Sequence, residues 1–558
     1  MTNGSRARAS SHLGRGLAAV LAAVATAAVA GATGSGGSAG EGRGPDLPNI
    51  VLVYADDLGR GDLSAYNPAA AYETPRLDRM ATEGIRFVDA HSPSTICSPS
   101  RAGLYAGQLI LRSGRGSRAF EGPGGPSYLA PGQLTIAEMV RERGYRTGVF
   151  GKWHVGLTWF DADGERLGGG FENALKIDYA RSTPLVDGPN ARGFDESFVT
   201  PNCPTTDPLY VYIENGMVPV PASVRHRRAR LPNPGGKWRW DNDEGWMAPG
   251  YRFEGADELF LTRTLDFIER HRQEHADRPF FAVLSTQISH APVLPARAFA
   301  GTSGAGPRGD FVRELDALTG RLLDALDRLG IGDDTLVLFH ADNGPETLHT
   351  HWMREDHAHD AAGGLRGMKR DGWEGGHRVP FLARWPARIP AGTVTTQLMN
   401  TTDLFATIAS LVGYALPDDV AVDSFDLVPA LLGLRGDDEP IRPHMLTQSF
   451  RGELQLRRGR WKYLDHAGSG GNRYDRGVLE RYALPESAPG APAQLYDLAA
   501  DPGETRNLYF AEEEIREEMR ALLASLSRED GGRTAPLGRV PLGPLGSLGG
   551  AESRASGR

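Results

Sequence analysis

Cysteine, net positive charge and long apolar runs are all scarce in this chain of 558 residues. The only cysteines are Cys97 and Cys203, which leaves room for one disulfide at most. Acidic residues outnumber lysine and arginine, 70 to 61, giving a net charge of -9 and a pI near 6.0. That balance offers no general attraction to nucleic acid or to an anionic membrane, so an anionic substrate has to be drawn by local cations. The apolar run at 17–30 (LAAVLAAVATAAVA) is too short for a comfortable membrane span. Arg6, Arg8 and Arg15 precede it and small residues follow, which is the order of a signal peptide at 1–30, the alternative being an Ala-rich disordered tail. The Gly/Ser stretch that follows reads as a linker at 31–45, and no cysteine stands just after the run to carry a bacterial lipid anchor. The expected location is therefore exported, periplasmic or secreted. No convincing internal repeat is present.

The length is too great for one ordinary core and predicts a large domain at 46–432 with a smaller one at 433–530. In the first, near-continuous apolar runs end abruptly in polar residues: NIVLVYADD (49–57), TGVFGKWH (147–154), FFAVLSTQISH (280–290) and TLVLFHADN (335–343). Runs of that kind are strands buried on both faces. Helical patterns lie between them at 75–84, 134–144, 257–275 and 311–330. Alternating strands and helices give an α/β fold with a large, mostly parallel sheet flanked by helices, whose ligands gather beyond the carboxyl ends of the strands. Past residue 432 the texture changes to short polar strands at 453–458 and 460–465, the segment QLYDLAADPGETRNLY (494–509) and an amphipathic helix at 512–526. These predict a smaller C-terminal α+β subdomain, and the Gly/Pro/Arg/Ser composition from 531 to 558 predicts a disordered tail.

The suspicious residues all fall at the strand ends. Asp56 and Asp57 are neighbours, and adjacent side chains on a strand point to opposite faces, so both reach one ion only if the strand breaks there; Gly59 and Gly61 make a break plausible. Alone, such a pair reads as a solvated turn. Asp342 and Asn343 add a carboxylate and an amide oxygen from a distant strand. An all-oxygen protein cage suits Ca²⁺ better than Mg²⁺, and a soft thiolate is a poor member of it. Three carboxylates around one divalent ion would repel an anionic substrate unless cations lie close, and Arg101, Lys152 and Lys369 are the candidates, each of which singly reads as a surface charge. His154 and His290 singly read as hydrogen-bonded structural residues at strand ends. His349, His351, His357 and His359 form a loose cluster without a supporting acidic or cysteine framework. Trp238, Trp240 and Trp246 are suited either to stacking on a sugar ring or to anchoring a long loop. Cys97 alone is a small buried hydrophobe.

Set together, CSPSRAGLYAG (97–107), the DD after the first strand, GKWH, SHAPV, ADNG and the GxK…EGGxRVP segment ending at Pro380 resemble the type I sulfatases, with CxPSR as the family's signature. ARGFDESF (191–198), YVYIENG (210–216) and the LYDLxxDPxExxNL pattern also look like sulfatase segments, so the resemblance runs from about Pro48 to Tyr509. It implies the alkaline-phosphatase-like fold with a small antiparallel sheet in the C-terminal subdomain. It implies that a formylglycine-generating enzyme oxidises Cys97 to formylglycine, directed by a signal that includes Pro99 and Arg101. It also implies that the resulting hydrate joins Asp56, Asp57, Asp342 and Asn343 around one Ca²⁺. By the same resemblance, Asp342 assists the attacking hydroxyl, Lys369 and His290 hold the sulfate and protonate the departing oxygen, Arg101 and Lys152 stabilise charge, and His154 removes the proton that releases sulfate. Tyr105-Ala106 departs from the family, which often has threonine before the glycine. A disulfide between Cys97 and Cys203 would consume the nucleophile, so Cys203 is expected to be structural or incidental.

The expected substrate is a sulfated glycan rather than a simple aryl ester, with the insertion at 156–255 as a candidate wall of a saccharide subsite. The open alternatives are an aryl sulfatase of broad specificity, a phosphatase or phosphonate monoester hydrolase of the same superfamily, and a non-catalytic sulfated-glycan binder should Cys97 stay unmodified.

Overall fold

The four apolar runs and the segment Glu196–Thr200 become five adjacent parallel strands, in the order Thr335–Ala341, Asn49–Ala55, Phe280–Ser285, Arg146–Lys152 and Glu196–Thr200. The computed structural model describes residues 47–114, 125, 127–227, 236–238 and 243–528. The expected signal segment, linker and tail, and Trp240, lie outside these residues.

Every residue of Asn49–Ala55 is buried, and its alternating side chains feed two cores. Ile50, Leu52 and Tyr54 join one, with Ala102, Leu104, Ile136 and Met139. Val51, Val53 and Ala55 join the other, with Leu77, Met80, Phe260, Phe311 and Leu315. The helices Cys97–Ala106 and Ile136–Glu142 therefore cover one face, and Pro75–Thr82, Ala256–Glu274 and Gly306–Arg328 the opposite one. Two-sided cover is why these strands lack a polar alternation. Truncating a side chain such as Leu52 to alanine in this packing costs about 2–5 kcal/mol. Ile136–Glu142 starts where a capping box dictates: the Thr135 hydroxyl accepts from the Glu138 N–H, and the Glu138 carboxylate accepts from the Thr135 N–H.

Short strands complete a mixed sheet of nine. Phe381–Arg384 runs antiparallel beside Thr335–Ala341, followed by Ile85–Phe87 and Thr393–Thr395, while Ile213–Glu214 runs antiparallel at the far edge. A separate four-stranded antiparallel sheet is built from Met445–Gln448, Leu454–Arg458, Trp461–Leu464 and Gln494–Asp497, with the helix Glu513–Leu526 packed on it through Met519, Leu523 and Leu526. Its outer strand touches the segment that leads into residue 97, where the Thr95 N–H donates to the Gln448 carbonyl at 3.0 Å. Among the described residues, no helix is long and apolar enough to cross a membrane.

Candidate active site

All five parallel strands deliver polar side chains beyond their carboxyl ends. Asp56 and Asp57 follow the first strand, Lys152 closes Arg146–Lys152 with His154 just after it, Cys203 follows Glu196–Thr200, His290 follows Phe280–Ser285, and Asp342 and Asn343 follow Thr335–Ala341. The adjacent aspartates converge because Asp57 itself adopts the left-handed region, with φ 55, which turns its carboxylate back toward that of Asp56. Gly59 serves differently from expectation. Its φ of -82 is ordinary, but a Cβ there would lie 1.9 Å from the Ala361 carbonyl oxygen, so its small size admits a close backbone approach instead of making the break.

Cys97 opens the helix Cys97–Ala106, and its thiol donates to Asp56 Oδ1 at 3.4 Å, with Asp57 Oδ1 at 4.0 Å. The Asp342 carboxylate joins them by accepting the Asp57 backbone N–H at 3.2 Å. Asn343 Nδ2 donates to Asp57 Oδ1 at 2.7 Å. Three cations face the three carboxylates. Lys152 Nζ lies 2.5 Å from Asp56 Oδ2 and Lys369 Nζ 2.7 Å from Asp57 Oδ1, while Arg101 reaches Asp342 Oδ2 through Nε at 2.9 Å and Nη2 at 2.7 Å. Arg101 is buried and also donates through Nη1 to Ser285 Oγ at 2.6 Å and to the Lys152 carbonyl at 3.2 Å, which ties three strand ends together. The side chain of His290 keeps 14% exposure; its Nδ1–H donates to the Ala291 carbonyl, leaving Nε2 at 3.9 Å from Asp57 Oδ2 and 3.6 Å from Cys203 Sγ. His154 is buried with φ 54, its Nδ1 3.9 Å from Cys203 Sγ.

Charge and burial set the protonation of the group. Burial pushes the Cys97 thiol up to about 11 and Asp56 adds to the shift, so the unmodified thiol is neutral here, a weak nucleophile and a poor ligand. Burial and Asp56 together push Asp342 up to about 6. For Asp56 burial works toward protonation, but Lys152 foremost, with His290 and Arg101, holds it well below the usual carboxylate range. For Lys369 burial works against the charge and Asp57 outweighs it.

The residues fit a hard cation. Asp56, Asp57 and Cys97 stand together with His290 as a group able to hold a metal, and the oxygens of Asp342 and Asn343 adjoin it. Among the described residues Asn343 Oδ1 is buried and finds no hydrogen-bond partner, as expected of an amide oxygen that a cation would engage once the amide turns over.

Other expectations fall elsewhere. His359 hydrogen-bonds Asp62 at 3.3 Å, His351 stacks on Tyr482 with ring centroids 3.6 Å apart, and His349 and His357 lie around Trp238. Trp238 packs edge-on against Trp352 and Trp246 stacks near Phe171, which is the loop-anchoring arrangement. Two residues of the cluster were given no role at the site by the sequence: Arg308, and Cys203, which was expected to be structural or incidental. Cys203 lies between His154 and His290, and the signal for it was its place just past a strand of the same sheet edge. Arg308 donates to the Asp57 carbonyl and to Ser289 Oγ, both at 3.0 Å; it sits inside an amphipathic helix with no motif to mark it.

Comparison with known proteins decides the family. The Sulfatase family model matches residues 48–414. The chain belongs to the sulfatase family. It is similar to an N-acetylgalactosamine-6-O-sulfatase of Bacteroides thetaiotaomicron, 32% identical over 87% of this chain and 94% of that protein. It is likewise similar to human arylsulfatase A, 34% identical over 83% of each. A solved structure described under the metabolism of multiple glycosaminoglycans by B. thetaiotaomicron superposes with a TM-score of 0.71 at 29% identity, covering 86% of this chain and 99% of that one. The protein is a sulfuric ester hydrolase, and its mixed, mostly parallel sheet with a small antiparallel C-terminal sheet is the sulfatase architecture.

Proposed function

We propose that this sulfatase removes sulfate from a sulfated carbohydrate, after export and after conversion of Cys97 to formylglycine. The observation that carries the carbohydrate reading is the similarity to an N-acetylgalactosamine-6-O-sulfatase over 94% of that protein's length. Conversion by a formylglycine-generating enzyme would supply a hydrated aldehyde, one hydroxyl of which attacks sulfur while the second lets the carbonyl re-form and sulfate depart. Burial of Cys97, Pro99 and Arg101 in one helix supports conversion before the chain has folded.

The carboxylates of Asp56, Asp57 and Asp342 and the amide oxygen of Asn343 would hold Ca²⁺, which supplies the positive charge that polarises the nucleophile and a sulfate oxygen. Lys152 and Lys369, paired here with Asp56 and Asp57, would be the cations available to sulfate oxygens once those carboxylates held the ion. Both begin at the site already charged and buried, where such contacts are strong. Arg101 holds Asp342 in place and adds positive charge. His290, anchored through Nδ1, presents Nε2 to donate a proton to the departing sugar oxygen. His154 takes up a proton at its ring in the second half of the cycle. The helix carrying Cys97 and the strand ends fix these groups before substrate arrives.

A parallel assay tests the reading: release of sulfate from 6-sulfated N-acetylgalactosamine and from an aryl sulfate, and of phosphate from an aryl phosphate, all at equal concentration. The sugar ester is expected to be hydrolysed with the highest kcat/KM and the phosphate least. Preference for the phosphate would overturn the sulfate-ester chemistry, and preference for the aryl sulfate the carbohydrate assignment.

A further inference from the structure

Cys203 and Asp207 have no part in the proposed hydrolysis, yet they complete a second cluster beside it. The sulfur of Cys203, a carboxylate oxygen of Asp207 and a ring nitrogen of His154 lie within 4.8 Å of one another, all buried. Cys203 Sγ is 3.9 Å from His154 Nδ1, and His290 Nε2 stands 3.6 Å from the same sulfur. Zinc bonds of about 2.3 Å to sulfur and about 2.0–2.1 Å to nitrogen, at a tetrahedral angle, place such atoms about 3.6 Å apart, close to the 3.9 Å between Cys203 Sγ and His154 Nδ1. The donors are sulfur, nitrogen and oxygen, the choice of borderline and soft ions, in contrast to the oxygen cage next to them.

The cluster is also held in a specific shape. His154 and Asp207 both sit in the left-handed backbone region, with φ 54 and φ 81, conformations that persist in residues other than glycine when surrounding contacts fix them. Asp207 Oδ2 accepts the Cys203 N–H at 2.9 Å, while the Asp207 N–H donates to Asp243 Oδ2 at 3.2 Å, so thiol and carboxylate are locked to one loop.

We propose that His154, Cys203 and Asp207 form a second metal site that takes Zn²⁺ or a similar borderline divalent ion. Binding joins the ion to the Cys203 sulfur, releases any proton that sulfur carries to solvent, and occupies a ring nitrogen of His154. A filled site withholds His154 from proton transfer, so zinc inhibits. That consequence rests on the role given to His154 above; the binding does not.

The test uses Co²⁺ as a coloured substitute for Zn²⁺, titrated into the purified, calcium-loaded full chain. The expected result is a sulfur-to-cobalt charge-transfer band in the near ultraviolet that saturates at one equivalent, is bleached by Zn²⁺ and is unmoved by excess Ca²⁺. The band is retained in Cys97→Ala, lost in Cys203→Ser, and requires about tenfold or more additional cobalt in Asp207→Asn. Far-ultraviolet circular dichroism confirms that each variant is folded, and Asp207→Asn with the zinc competition carries the test should Cys203→Ser misfold. A band that survives in Cys203→Ser, one that vanishes in Cys97→Ala, or no sulfur band at one equivalent would overturn the site. Absorbance requires no turnover, so failure of the sulfatase reading leaves this result legible. Zinc that binds there without lowering turnover would overturn the inhibitory consequence.

Discussion

Lys152 Nζ lies 2.5 Å from Asp56 Oδ2 with neither side chain exposed, so each charge depends on the other. Lys152→Met leaves a buried carboxylate without its principal cation, a loss of about 3–5 kcal/mol. Urea unfolding in the presence of chelator is expected to show that deficit, and calcium to narrow it, because the ion replaces the missing positive charge. A deficit indifferent to calcium would separate Asp56 from the ion site.

The partnerless Asn343 Oδ1 leads to a second expectation. Asn343→Leu keeps the volume and removes the oxygen, and is expected to weaken calcium binding by about tenfold or more, about 1.4 kcal/mol or greater. Titration calorimetry measures it, and an unchanged affinity would remove Asn343 from the ligand set.

Serine at position 97 offers one hydroxyl where the hydrated aldehyde offers two. Cys97→Ser is expected either to accumulate a sulfated enzyme, seen by intact-protein mass spectrometry after exposure to substrate, or to be inactive. Full multiple turnover would contradict the two-hydroxyl scheme.

Glu314 predicts the pH dependence of stability. Burial foremost, with Glu258 adding and the Ala296 N–H opposing, pushes its carboxyl up to about 7. Unfolded, it titrates near about 4.3. Between those values the folded state holds the proton more tightly, so stability falls as pH rises through the window and the cost is complete above the folded value. Glu314→Gln should therefore stabilise the protein by up to about 3 kcal/mol at about pH 8 and by nothing at about pH 4, measured by urea unfolding. Equal effects at both pH values would contradict the burial account.

The strand ends were legible because a strand covered on both faces has to be apolar throughout and can turn acidic only where it leaves the sheet; Asn49–Ala55 followed by Asp56 and Asp57 is the clearest case. The helix Cys97–Ala106 was not, since all ten of its residues are buried and no polar face sets a helical period. The convergence of Asp56 and Asp57 was read as a break helped by Gly59 and Gly61, whereas a positive φ at Asp57 produces it; aspartate enters that region more readily than most residues, but too rarely for its presence to mark the position. The flanking strands Ile85–Phe87 and Thr393–Thr395 are three residues each, too short to carry a pattern. Cys203 was expected to be structural or incidental, since a cysteine without a motif is chemically mute until its neighbours are known; His154 and His290 supply them.

The central claim is that the residue at position 97 works as an aldehyde hydrate among the carboxylates of Asp56, Asp57 and Asp342. Peptide mass spectrometry of an active preparation, from the exporting host or from cells supplied with a formylglycine-generating enzyme, tests it most directly. The account predicts formylglycine at position 97, in a fraction that rises in proportion to specific activity across preparations. A fully active preparation in which residue 97 is an intact thiol throughout would contradict it.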